Sequence, residues 1–312
     1  MCIFAKPVVS VAQTNIFARL SDDQWQYLVY QMKYETAKKN AIILPLPTVV
    51  PGTEEDESLE FIALDKYPKF FKDLRRGFPV PVARFKNADA KTDAIIPESL
   101  VVHRVGDFVA SFVPSMKDFD RLDEQFRVPQ ESWDEIPKYA DYGFAVFQLE
   151  NLEGEPHPMA FKFRSRLNTN DDDAKIFFPT VHIHDGEVHE QEGFDHALFL
   201  QAKQFDAACG AFEPGLLVDD ATKYVRSNSK ASDFCDIKAA KGIVDPKGLV
   251  HRLMMQGELK NDDVVADLVF ESKTEKSSLK PTAGSMAIAA CAAGMNWLFR
   301  RRDTLKIERE SE

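Results

Sequence analysis

The sequence predicts an α+β fold whose sheets pair mainly antiparallel. Short, dense apolar runs crowd the first fifty residues, and helical periodicity is confined to two later blocks. Strand and helix do not alternate as a parallel sheet would require. With 312 residues, 44% of them hydrophobic, the chain can bury one large core or two modest ones. The expected division is one α+β domain over residues 1–280, with a subdomain boundary near residue 170 as the alternative, followed by an Ala-rich helix and charged tail over 281–312.

The runs VVSVA, NIFARL, WQYLVYQMKY and AIILPLP, broken by QT, SDD and ETAKKN, read as an opening β meander. Trp25, Tyr27 and Val29 should share one strand face, with Gln24 and Gln26 on the other. An acidic loop, PGTEEDES, leads to a helix near residues 67–76, where Pro68 suits the first turn, Gly77 the stop, and Phe70, Phe71 and Leu74 the buried stripe. A second helix is expected from Ser115, because Met116, Phe119, Leu122 and Phe126 recur at three- and four-residue spacings. Strands resume at YGFAVFQLE and at MAFKFRSR, where Met159, Phe161 and Phe163 alternate with Lys162 and Arg164. LNTNDDDAK reads as an exposed loop and IFFPTVHIH as a further strand.

Bulk chemistry removes several function classes. Lys and Arg number 39 against 50 Asp and Glu, for a formal charge of -11, and the basic residues are scattered. Nucleic acid is therefore not an expected partner, since phosphate backbones need concentrated positive charge. Cys2, Cys209, Cys235 and Cys291 lie far apart without CxxC spacing, so they describe neither a zinc knuckle nor a disulfide framework. Neither GxGxxG nor GxxxxGK[ST] occurs, which removes the usual nucleotide fingerprints. Residues 282–299 are uncharged and precede three arginines, yet they are rich in Ala, Gly, Ser and Thr, so a buried helix is expected rather than a membrane span. With no secretory signal at the start, a cytoplasmic location is expected.

The densest motif is VHIHDGEVHE, residues 181–190, which holds three of the seven histidines. Asp185-Gly186 between β-rich runs predicts a two-residue type I′ hairpin, because both turn positions need φ > 0. In that register His182 faces His189 and His184 faces Glu187. All four then emerge on one side, with Val181, Ile183 and Val188 on the other. Imidazoles at His182, His184 and His189 would converge on zinc or another divalent metal and leave a position for water, with Glu187 as a base. His196, in GFDHALF, is a candidate for a further ligand. The plain alternative is a solvated hairpin face.

The second candidate is Cys2. Removal of Met1 would leave a thiol beside a free α-amine, which could act as its base. Together with Arg19-Leu20-Ser21-Asp22, the Met-Cys start resembles the choloylglycine hydrolase and penicillin V acylase family, although Leu20 stands where that family usually has Asn. The resemblance covers about the first 22 residues. It implies that Cys2 attacks an amide, Arg19 helps to hold the thiolate and substrate, and Asp22 contacts the amine. NIFARL, LVYQMKYE and AIILPLP also resemble the opening strands of uncharacterised bacterial domain families, a likeness that implies no chemistry. Three functions follow: a metal-binding protein, extending to a metal-dependent hydrolase; an N-terminal cysteine amidohydrolase; and a non-catalytic binding or structural module. The first is preferred, because its geometry follows from the residues without analogy.

Overall fold

The computed structural model describes residues 3–21, 23, 25–49, 58–79, 103–105, 108–128, 130–168, 174–215 and 223–268. In chain order the first elements are β1 (Ile3–Phe4), β2 (Ser10–Leu20), β3 (Trp25–Glu35), β4 (Asn40–Leu46), β5 (Leu59–Ala63) and α1 (Phe70–Arg76). Next come β6 (His103–Val105), β7 (Phe108–Val113), α2 (Gln130–Asp134), β8 (Gly143–Leu149), β9 (Glu153–Gly154), β10 (Met159–Arg164) and β11 (Lys175–Phe178). The last are β12 (Gln191–Gln201), α3 (Phe205–Ala208), β13 (Gly210–Ala211), β14 (Val225–Arg226), β15 (His251–Lys260) and β16 (Val264–Asp267).

Two large sheets result. One runs β1-β4-β8-β7-β6, the other β13-β14-β15-β12-β2-β3-β10-β5 with β9 beside β3, and β11 pairs separately with β16. Pairing is antiparallel except for β12 with β2 and β13 with β14. The larger sheet takes strands from both sides of residue 170. The expected C-terminal helix falls outside the described residues. Among the described residues no helix is long and apolar enough to cross a membrane.

The strand sequences explain the layering. AIILPL is an unbroken apolar run because both faces of β4 are buried. Ile42, Leu44 and Leu46 face a core shared with Leu28, Tyr30, Phe161 and Leu198 of the larger sheet. Ala41 and Ile43 face the opposite way, into a core covered by Phe119, Leu122 and Trp133. On the outer face of the larger sheet, Val29, Phe17 and Phe199 pack under Phe70, Phe71 and Leu74 of α1, the stripe that its spacing predicts. The opening runs form strands but not a meander: VVSVA and NIFARL are one strand, β2, paired with β3, while β4 lies in the other sheet between β1 and β8. The QT break in β2 is a β-bulge between Ala12 and Asn15, where Gln13 takes φ 55 and its N–H donates to Asp195 Oδ2 at 2.5 Å.

Two local expectations need correction. The helix from Ser115 is instead two 3-10 turns, Met116–Arg121 and Glu124–Phe126. Phe119, Leu122 and Phe126 are buried as the spacing requires. However, Arg127 draws the carbonyls of Asp120 and Leu122 to its guanidinium at 2.6 to 2.9 Å, and Asp123 caps a fresh turn through Gln125 N–H. Gln26, assigned to a polar strand face, is wholly buried. Its amide donates to Phe177 O at 2.7 Å and accepts from Phe177 N–H at 3.0 Å, tying β3 to β11. Replacing Gln26 by Leu should therefore strand both Phe177 backbone groups and lower stability by about 2–4 kcal/mol in urea unfolding. A loss below about 0.5 kcal/mol would show that the tie is not needed.

Candidate functional site: a buried imidazole stack

Residues 181–184 do alternate as an extended strand, so Val181 and Ile183 enter the core while His182 and His184 turn to the other side. Beyond His184 the predicted hairpin does not form. Gly186 has φ 95, but Asp185 is not among the residues with positive φ, so the type I′ turn is absent. Asp185 accepts Glu187 N–H with its own carboxylate at 3.0 Å. The backbone partners that the hairpin would have supplied come from elsewhere. Ile3 bridges Ile183, Phe4 N–H donates to Ile183 O at 3.2 Å, and Val8 N–H donates to His184 O at 2.8 Å.

This repairing splits the predicted ligand set. His189 is exposed and pairs with Asp185 through Nε2 at 2.9 Å. Glu187 lies in the same exposed group. Among the described residues, Asp185, Glu187 and His189 form the one trio of His, Cys, Asp or Glu with ligand atoms within 4.8 Å of each other. His182 and His184 instead join His196 of β12, the candidate further ligand. His182 stacks on His184 (centroids 5.0 Å apart, planes at 20°) and on His196 (5.0 Å, 17°). Phe194 lies 4.2 Å from the His182 ring, and Phe4 meets His184 edge-on at 5.8 Å.

His182 and His196 are fully buried, and their Nε2 atoms approach to 3.2 Å. Nδ1 of His182 and Nε2 of His184 are buried without a hydrogen-bond partner. Burial pushes the His184 and His196 imidazoles down to about 4 and holds His182 lower still, so all three are neutral near pH 7. His196 Nδ1 lies 3.6 Å from the Asp195 carboxylate and accepts Asp195 N–H at 3.3 Å.

Two polar residues that the sequence gave no reason to select hold this segment in place. Asn261 accepts His182 N–H at 2.7 Å and donates to the carbonyls of His182 and His189, both at 2.9 Å. Asp263 accepts the N–H groups of Thr180 and Val181 at 3.0 and 3.3 Å, along with the Tyr139 hydroxyl at 2.6 Å. Both belong to a short polar run between β15 and β16 that reads only as a turn.

Cys2 and Asp22 lie outside the described residues. Cys2 is bonded to Ile3, whose bridge partner Ile183 stands between His182 and His184. Arg19 is engaged elsewhere: its guanidinium donates to the carbonyls of Ile243, Gly242 and Leu20 and packs over Tyr27. It lines a cleft of about 650 Å³ with Ser21, Gln201, Lys203 and Asp245, none of which belongs to the imidazole stack. Cys209 and Cys235 are buried free thiols, and burial pushes Cys235 up to about 12.

No family model matches the chain. Among solved structures it is similar to baculovirus P35, at 13% identity over 85% of this chain and 99% of that one, with a TM-score of 0.45. It is also similar to P35 in a caspase-8 complex, at 12% identity over 82% of this chain and 96% of that one, with a TM-score of 0.38. Likeness at this level says nothing about what the present chain binds.

Proposed function

We propose that the protein binds a divalent transition metal, zinc foremost, between His182 and His196, with its remaining positions open to water and further ligands. The observation that carries this reading is the 3.2 Å separation of two buried Nε2 atoms. Two nitrogens about 2.0–2.1 Å from one tetrahedral ion stand about 3.3 Å apart. Neutral imidazoles are the ligating form, and burial keeps both neutral. The Asp195 carboxylate lies 3.6 Å from His196 Nδ1, so a metal at Nε2, which would move the ring proton to Nδ1, would bring that N–H beside the carboxylate that commonly orients a metal-bound histidine. An ion with an open position would lower the pKa of bound water, and the unpartnered His184 Nε2 is a neutral base next to it. That chemistry is hydrolysis. Glu187, expected as the base, lies instead with Asp185 and His189.

The test is metal content by mass spectrometry after reconstitution with zinc. About one equivalent is expected in the wild type and in His189→Ala, with loss of at least tenfold in affinity in His182→Ala and His196→Ala. Equal occupancy in all variants, or none in the wild type, would refute the reading.

A second reading makes Cys2 a nucleophile activated by a neutral imidazole, without metal. It is favoured by the contact of Ile3 with the segment between His182 and His184. Iodoacetamide tests it, since an activated Cys2 thiolate should be alkylated faster than the buried Cys209 and Cys235. Alkylation of Cys2 no faster than of those two thiols would refute it.

A further inference from the structure

Away from the histidines, Arg252 of β15 is an unusual arginine. Its guanidinium carbon lies 4.5 Å from the Phe78 ring centre and 5.0 Å from that of Phe212, against two rings that themselves meet edge-on with centres 5.6 Å apart. Its Nε is buried and has no hydrogen-bond partner. Other partly buried arginines of this chain spend their donors on carbonyls or carboxylates: Arg127 on Asp120 and Leu122, Arg166 on Asp141, Arg226 on Asp206. Arg252 gives none of its donors to any described residue.

A second guanidinium stands nearby. Arg75, in the last turn of α1, donates to Asn15 Oδ1 at 2.6 Å, and its charge and that of Arg252 disfavour each other. Asn15 is neutral, and the acid felt by Arg75 is Glu155, with which it forms no ion pair among the described residues. Asn15 and Met254 are both ladder partners of Ala197, which places Arg75 over the row beside Arg252. Met254 shares a strand face with Arg252 and is 45% exposed. Two fixed cations with spare donors and an exposed apolar neighbour are complementary to an anion carried on an organic group.

We infer that Arg252 and Arg75 form a binding site for an oxyanion, a phosphate or carboxylate group that accepts from the terminal guanidinium nitrogens of Arg252 and from Arg75 on its other side. The two phenyl rings pack against the Arg252 guanidinium and hold it in place before the anion arrives. Met254 lies where the organic part of such a ligand would rest.

Isothermal titration of the full chain at constant ionic strength tests this, with inorganic phosphate in one arm and acetate in the other. One equivalent of phosphate or acetate should bind, and the arm that binds more tightly names the source. Arg252→Gln should weaken that binding about tenfold or more, Arg75→Gln about tenfold, and Arg121→Gln, whose partner is Asp118, should leave it unchanged. If Arg252→Gln fails to fold by circular dichroism, Arg75→Gln decides alone. Absence of binding by both anions in the wild type would overturn the inference, as would wild-type affinity in Arg75→Gln.

Discussion

In the presence of chelator, so that no ion competes with protons, the protein should unfold as the pH falls from 6.5 toward 4. Four imidazoles, the buried His182, His196 and His251 and the partly buried His184, are held below the ordinary 6.5 by burial, with His184, His196 and His251 at about 4. Asp206 lies 3.2 Å from His251 Nε2, but its own carboxyl is pushed up by burial, which weakens its hold on a proton there. Between the two pH values the unfolded chain takes up protons that the folded chain refuses. Stability is therefore fully present above 6.5 and drains away until the folded-state value is reached. Each of the three imidazoles at about 4 costs about 3 kcal/mol over that interval. Together they cost about 10 kcal/mol, which rivals the whole stability of an ordinary domain at about 5–15 kcal/mol. Far-UV circular dichroism against pH should show a cooperative loss centred above pH 4. A fold intact at pH 4 would mean that the imidazoles are not buried and neutral as described.

The second large effect is expected at Asp263. Its side chain is only 7% exposed, and it accepts from Tyr139 Oη, Thr180 N–H and Val181 N–H while Lys138 Nζ stands 3.2 Å away. Burial and the Asp263 charge both hold the Tyr139 phenol well above its ordinary value, so the hydroxyl donates throughout the working range. Asp263→Ala would leave one buried hydroxyl and two backbone donors unpaired and Lys138 with Asp262 as its remaining carboxylate. The expected cost is about 3–5 kcal/mol in urea unfolding. Because Thr180 and Val181 lead directly into His182, zinc affinity should fall with it, although Asp263 touches no imidazole. Tyr139→Phe, which removes one donor and leaves the carboxylate its other three partners, should cost about 1–2 kcal/mol. An Asp263→Ala loss below 1 kcal/mol would show that the segment is held by Asn261 and the core alone.

What could be read from the residues differs by scale. Period-two and period-three-to-four spacings located β2, β3, β4, β8, β10 and α1, because burial on one or both faces enforces them locally, but not the transfer of β4 to the other sheet. Phe70, Phe71 and Leu74 pack as their spacing requires. The turn at Asp185-Gly186 was misread because its propensity is real but its competitors are distant. Ile3, Phe4, Val8 and Asn261 take the backbone groups that a local hairpin needs. The same competition moved the candidate site. Alternation correctly put His182 and His184 on one side, but His196 joins them only because β12 runs parallel to β2, a pairing between residues far apart in sequence. Likewise, the 116-119-122-126 spacing reported burial but not helix type, since the carbonyl-binding Arg127 lies just past the pattern.

X-ray absorption at the zinc edge, on the chelator-stripped full chain reconstituted with one equivalent of zinc, tests the central claim most directly. Binding between His182 and His196 predicts two imidazole nitrogens at about 2.0–2.1 Å. A shell of oxygens with a single imidazole would place the ion at Asp185, Glu187 and His189 instead, and failure to retain zinc against dialysis would contradict metal binding altogether.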